Sequence, residues 1–68
     1  MSGPEALQAL MDGKRIAEEL FAENTFLQLE EIEGFRDPVI SITFNDGTKT
    51  QWTGNIIYLI KGNWSLVQ

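Results

Sequence analysis

Four carboxylates within eight positions, Glu30, Glu31, Glu33 and Asp37, form the densest run of titratable side chains in the 68-residue sequence. Paired carboxylates hydrolyse glycosides when they stand a fixed distance apart across a cleft, and they hold a hard cation when oxygen ligands converge from one loop. Glu30-Glu31-x-Glu33 has no EF-hand spacing and reads as the solvated end of a strand. Nucleophilic chemistry has less to work with. Histidine and cysteine are absent, which removes the commonest general base, the thiolate nucleophile, disulfides and nearly every transition-metal ligand set. Ser41, Ser65 and the threonines have no imidazole to activate them, and Lys14, Lys49 and Lys61 show no flanking pattern that depresses an amine pKa. No catalytic side chain, metal or cofactor is expected.

Binding chemistry remains. Lys14 and Arg15 are the only adjacent basic pair, following Asp12-Gly13, but the spacing of a phosphate-binding Gly-x-x-x-x-Gly-Lys-Ser/Thr loop is missing. The pair either neutralises the end of a preceding helix or receives an anion. Trp52, Trp64, Phe21, Phe26 and Tyr58 are able to stack on a nucleobase and equally able to fill a core. Trp64 reads as core. Trp52 stays open, because Thr53-Gly54-Asn55 behind it are small and let a ligand approach the backbone. Net charge is -5, so no basic stripe exists for direct nucleic-acid binding. Residues 1–34 carry two cations against eight acids, and residues 35–68 three cations against two. An acidic first half either keeps a small chain soluble or docks a basic partner.

The elements that must position these residues are few. A chain this short buries only roughly 60% of the surface it exposes when unfolded, so its core is marginal, and without disulfides or metal it is expected to self-associate as a homo-oligomer. Hydrophobic content of 43% and charged content of 22% suit one globular domain over 1–68, with residues 1–2 expected to be disordered. Ser2-Gly3-Pro4-Glu5 is a capping box, Leu7, Leu10 and Met11 share a stripe, and Gly13 ends a helix over about 3–12. Residues 14–24 fit a helix by propensity and a strand by company. Ile40, Ile42 and Phe44 alternate with Ser41 and Thr43, and Asn45-Asp46-Gly47 makes a turn. A three-residue loop with Gly47 left-handed puts Trp52 beside Ile40 on the apolar face, whereas a two-residue loop turns it over. Ile56 to Ile60 is apolar all round and fits either a buried strand or a short helix capped by Asn55 and Gly62; one side of it is expected to meet another subunit. Trp64, Leu66 and Val67 close the chain as a strand. No apolar stretch approaches the roughly 20 residues that span a bilayer, and the start lacks a basic-then-apolar design, so a cytosolic protein is expected.

Four segments form an ordered pattern. Ala6-Leu7-Gln8-Ala9-Leu10-Met11-Asp12-Gly13-Lys14 matches Ala-Leu-x-x-Leu-x-x-Gly-Lys. Arg15-Ile16-Ala17 begins a strand that would close on Arg-x-x-Trp, where this chain has Glu18 and Phe21. Asp46-Gly47 with Trp52 is a middle turn, and Tyr58-Leu59-Ile60-Lys61-Gly62-Asn63-Trp64-Ser65-Leu66-Val67 stands for Asp-Leu-Leu-Ala-x-Asp-Trp-x-Val, with Tyr58 and Asn63 at the two Asp positions. Read whole, the chain resembles the Thoeris anti-defence two family of small phage proteins, one branch of which is an anti-CRISPR. The resemblance implies an α+β fold: a short N-terminal helix packed on a small antiparallel sheet, with a short helix or strand before the last strand. It tips residues 14–22 toward strand and turn. It also implies a homo-oligomer in the cytoplasm of a bacterial host that sequesters a cyclic nucleotide immune signal, such as a cyclic ADP-ribose isomer, at a subunit junction without cleaving it. Carried onto this chain, Lys14, Arg15 and Lys49 would meet phosphate, and Trp52, Thr53 and Asn55 base or ribose. Glu18 would repel an anion there. It favours the alternative, an acidic inhibitor covering a basic host defence nuclease through Glu18, Glu19, Glu23, Glu30, Glu31 and Glu33; a minor phage structural or regulatory protein is the third reading.

Overall fold

The protein's structure is a computed structural model that describes residues 1–67. Its elements run α1 (Gly3–Met11), β1 (Arg15–Glu18), β2 (Phe26–Glu30), β3 (Val39–Thr43), β4 (Lys49–Gln51), α2 (Ile56–Lys61) and β5 (Trp64–Val67). This is the expected α+β arrangement, with the short segment before the last strand resolved as helix.

Local chemistry accounts for each boundary. Ser2 Oγ accepts from the Glu5 N–H at 3.2 Å and the Glu5 carboxylate accepts from the Ser2 N–H at 3.1 Å, so α1 starts on a full capping box. Residues 1–2, expected to be disordered, are therefore engaged: Ser2 caps α1, and the Met1 amine donates to the Trp64 carbonyl at 2.9 Å. Gly13 takes φ +79°, and the Lys14 N–H returns to Ala9 O, which closes the helix. Propensity favoured more helix from Lys14, but Ile16 is paired on both sides, to Leu27 of β2 and Leu66 of β5, and tertiary pairing decides. The hairpin has the three-residue loop: Thr43 faces Lys49, Gly47 sits at φ +88°, and the Trp52 N–H donates to Ile40 O at 2.8 Å. Asn55 Oδ1 accepts from the Ile57 N–H at 2.8 Å and caps α2. Gly62 ends α2 in an extended conformation, φ -70° and ψ 162°, and not as a left-handed residue.

Strand order is β4-β3-β2-β1-β5, antiparallel throughout. β1 to β4 form a meander, and α2 carries the chain across one sheet face so that β5 joins the far edge beside β1. Both helices lie on that face. The core is Ala6, Ala9 and Leu10 of α1, Leu59 of α2, and Ile16, Leu27 and Trp64 of the sheet, with Phe21, Ile40, Ile42 and Trp52 packed against it. Because side chains alternate along a strand, the partners of these sheet residues face the other way, where no helix covers them.

Candidate functional site

The helix-free face is built by register. Ile16 opposite Leu27 sends Arg15 and Ala17 of β1 outward, and Leu27 opposite Ile42 does the same for Phe26, Gln28 and Glu30 of β2 and Ser41 and Thr43 of β3. Lys49 and Gln51 of β4 join them through the pairs with Thr43 and Ser41. The Arg15 guanidinium lies over the Phe26 ring, 4.7 Å from its centroid, a contact worth about 0.5–1 kcal/mol at an exposed site. The Lys49 ammonium reaches across β3 and pairs with Glu30. Its path crosses β3 at Ser41, which is buried on this otherwise open face, its Oγ donating to Gln28 O at 3.2 Å. Two cations from opposite sides of the sheet thus bring their heads to β2, one at each end of that strand, about 14 Å apart along it. Among the described residues this face carries Arg15 and Lys49 with Glu30, and Glu19 continues the β1–β5 ladder at its edge, its N–H donating to Asn63 O at 2.9 Å.

The six residues singled out in sequence are divided by this geometry. Arg15 and Lys49 share the helix-free face. Lys14 does not, because alternate residues of an extended chain point to opposite sides; it borders a shallow hollow with Glu5, Gln8 and Asp12 beside α1. The basic pair is therefore not one anion site. Trp52 lies on the helix face against the core. The small residue behind it serves the fold: a Cβ on Gly54 would meet Trp52 Cζ2 at 2.2 Å, so the backbone approaching the indole is the chain's own. Asn55 spends its carbonyl oxygen on the α2 cap. Thr53 is exposed between β4 and α2. Phe26, one of the five aromatics able to stack on a base, is not among those six, although the alternation Phe26-Leu27-Gln28-Leu29 places it on the face opposite the leucines.

Glu18 is the largest surprise. It is only 7% exposed and faces the helix side. Its carboxylate accepts from the Leu20 N–H at 2.6 Å, the Asn63 N–H at 3.3 Å and the Tyr58 hydroxyl at 3.2 Å. The Leu20 N–H above all, helped by Asn63 and Tyr58, holds its pKa below the ordinary value against the opposing effect of burial. Burial, then the Glu18 charge, pushes the Tyr58 phenol up. Glu18 therefore belongs to no acidic surface and repels nothing on the Arg15 face. The remaining acids do not form one surface either. Glu19 and Glu23 lie in the β1–β2 connection, whereas Glu31, Glu33 and Asp37 lie in the β2–β3 loop at the opposite end, separated by the roughly 17 Å length of β2.

A hollow of about 430 Å³ in that second loop is lined by Glu31, Glu33 and Asp37 against Arg36, an acidic lining that suits no anion. Among the described residues no three carboxylates converge to hold a metal ion, and no helix is long and apolar enough to cross a membrane. Compared with known proteins, the chain matches no protein-family model and no curated sequence.

Proposed function

We propose that this chain acts by binding without turnover, holding a cyclic nucleotide signal on the helix-free face of its sheet and thereby withdrawing it from a host defence response. The observation that carries the reading is the Arg15 guanidinium stacked on Phe26 on the helix-free face. A cyclic nucleotide offers flat bases and a compact anion. Arg15 presents charge and a stacking plane at once, Gln28, Gln51 and Thr43 supply hydrogen bonds to base edges or ribose, and Lys49 exchanges Glu30 for phosphate. The chain has neither imidazole nor thiol, and this reading assigns no residue to bond cleavage, so the bound molecule leaves intact. The separation of the acids to two ends of the sheet gives the competing reading, an acidic cover for a basic nuclease, less support.

A thermal-shift panel of cyclic dinucleotides and cyclic ADP-ribose isomers tests this. A ligand at a hundredfold excess over its Kd stabilises by about 2.7 kcal/mol, which in a chain of this size raises Tm on the order of 10 °C. Arg15→Ala should abolish the shift and Lys14→Ala should leave it. Absence of a shift with every member, or chromatography showing the ligand cleaved, refutes the reading.

A further inference from the structure

α2 is six residues long, five of them apolar, and it buries one. Leu59 is 1% exposed, while Ile56, Ile57 and Ile60 are 55%, 50% and 53% exposed. A helix so short has little stability of its own, and the most apolar segment of the chain stands outside the core. Two hollows adjoin it. A furrow of about 270 Å³ between the helices is lined by Gly3, Pro4, Leu7, Ile56, Leu59 and Ile60. A second, of about 320 Å³, shares Leu7, Ile56 and Leu59 and extends to Ile40 and Trp52. Ridge and furrow therefore lie side by side on one face.

We propose that two copies of this chain join through this face about a two-fold axis, the Ile57 and Ile60 ridge of each seated in the α1–α2 furrow of the other. Three observations commit the surface to a second copy. The first is area: Leu7, Ile56, Ile57 and Ile60 together expose on the order of 400 Å², within the range of a monomer's largest apolar patch. With Pro4 and Trp52 on the hollows' walls the face reaches about 500 Å² per protomer, or about 1,000 Å² in a pair, the small end of specific interfaces and in keeping with a dimer that dissociates on dilution. The second is charge. Two copies of a chain at -5 repel, yet α2 carries no acid and a single cation, Lys61, so identical protomers meet here with the least like-charge cost. The third is shape: an isologous contact needs a surface complementary to itself, and a ridge beside a furrow is one.

The consequence is an arrangement back to back. Both helices cover the same sheet face, so joining them leaves the two Arg15–Phe26 faces pointing outward, each complete within one protomer. The dimer does not rest on the nucleotide reading, and it predicts two independent outward faces where the sequence resemblance implied a site at a subunit junction.

Sedimentation velocity tests it. The wild-type chain should sediment as a dimer at about 200 µM and dissociate on dilution through the micromolar range. Ile57→Glu, at a half-exposed position, should keep the wild-type circular dichroism spectrum and weaken the dimer at least about tenfold. Phe35→Glu, an equally exposed apolar residue on the β2–β3 loop, should leave it unchanged. A wild-type protein that stays monomeric at that concentration overturns the proposal, as does a dimer that survives Ile57→Glu. Arg15→Ala should dimerise normally, so failure of the ligand screen and failure of the dimer are separate results.

Discussion

Replacing Gly3 by alanine separates the geometry of this fold from general helix propensity, because the two give opposite signs. Glycine in the middle of a helix costs roughly 0.5–1 kcal/mol relative to alanine and less at the first helical position, which Gly3 occupies, so on propensity alone Gly3→Ala stabilises by up to about 0.5 kcal/mol. In this fold a Cβ at Gly3 would meet the carbonyl oxygen of Ile60 at 2.4 Å and its Cα at 2.6 Å. Ordinary carbon contacts begin near 3.4 Å, so α2 must retreat by about 1 Å. It is not free to do so: Leu59 is fully buried in the core, and the Trp64 indole N–H donates to the Leu59 carbonyl at 2.9 Å. The obstacle is backbone and not the end of a flexible side chain. Overpacking of this kind costs typically 1–3 kcal/mol, which exceeds the propensity gain. A domain of this length has on the order of 3–10 kcal/mol in total, so a net loss of about 0.5–2.5 kcal/mol should lower Tm by roughly 2–20 °C. Thermal melts and urea titrations followed at 222 nm measure it. An unchanged or raised Tm would show that α2 does not pack on the start of α1, and the furrow between the helices would lose its basis.

Gly54→Ala forces a Cβ to within 2.3 Å of the Trp52 ring, but here the ring swings away, so we expect a loss of only about 1–2 kcal/mol and faster acrylamide quenching of Trp52 with Trp64 still protected. Trp64→Phe removes the hydrogen bond to Leu59 O and part of a buried side chain, and should cost about 2–4 kcal/mol in urea unfolding; a loss below 1 kcal/mol would mean that α2 is not tethered through this indole. Glu18 has its folded pKa below the ordinary 4.5, so its contribution is complete above that value and is lost as pH falls through the folded pKa. Glu18→Gln should therefore be less stable than wild type at neutral pH, with the gap closing in acid while Glu5 and Asp46, whose pKa values are also lowered by their hydrogen bonds, keep some acid lability in both proteins. A Tm difference that stays constant across the acid range would contradict the assignment. Lys49→Ala breaks an exposed ion pair and should change stability by less than about 1 kcal/mol; a larger loss would show that the pair is structural and not exchangeable for a ligand anion.

Features set by near neighbours were legible in the residues themselves. Ser2 and Glu5 named their own cap, and the alternation around Ile40 and Ile42 selected the three-residue loop and the side of the sheet on which Trp52 lies. Features set by distant pairing were not. Residues 15–18 have helical propensity, and only the simultaneous pairing of Ile16 with Leu27 and Leu66 makes them a strand. The same limit applied to the site. Lys14 and Arg15 look like one charge cluster until strand geometry sends them to opposite faces, and Arg15 finds Phe26 only across the β1–β2 pair. Asn55 and Gly54 had local roles, a helix cap and a seat for the indole, that absorbed residues otherwise suited to a ligand.

Glu18, Phe21, Tyr58 and Asn63 meet in one place. Glu18 receives the Tyr58 hydroxyl and the Asn63 N–H, and the rings of Phe21 and Tyr58 both stand edge-on to Trp64, at 5.6 Å and 5.9 Å between centroids. An Asp at position 58 or 63 beside Glu18 would put like charges together in a site where Glu18 is hardly solvated, whereas a hydroxyl and a backbone N–H supply the donors that a buried carboxylate needs. These positions are coupled by contact: the buried Glu18 carboxylate takes the Tyr58 hydroxyl and the backbone N–H of residue 63 as donors. That cluster ties β1, α2 and the start of β5 together on the helix side of the sheet, and Arg15 and Phe26 are on the other side. Because the cluster is confined to the helix side, Glu18 counts against an acidic docking surface and not against an anion bound over Phe26.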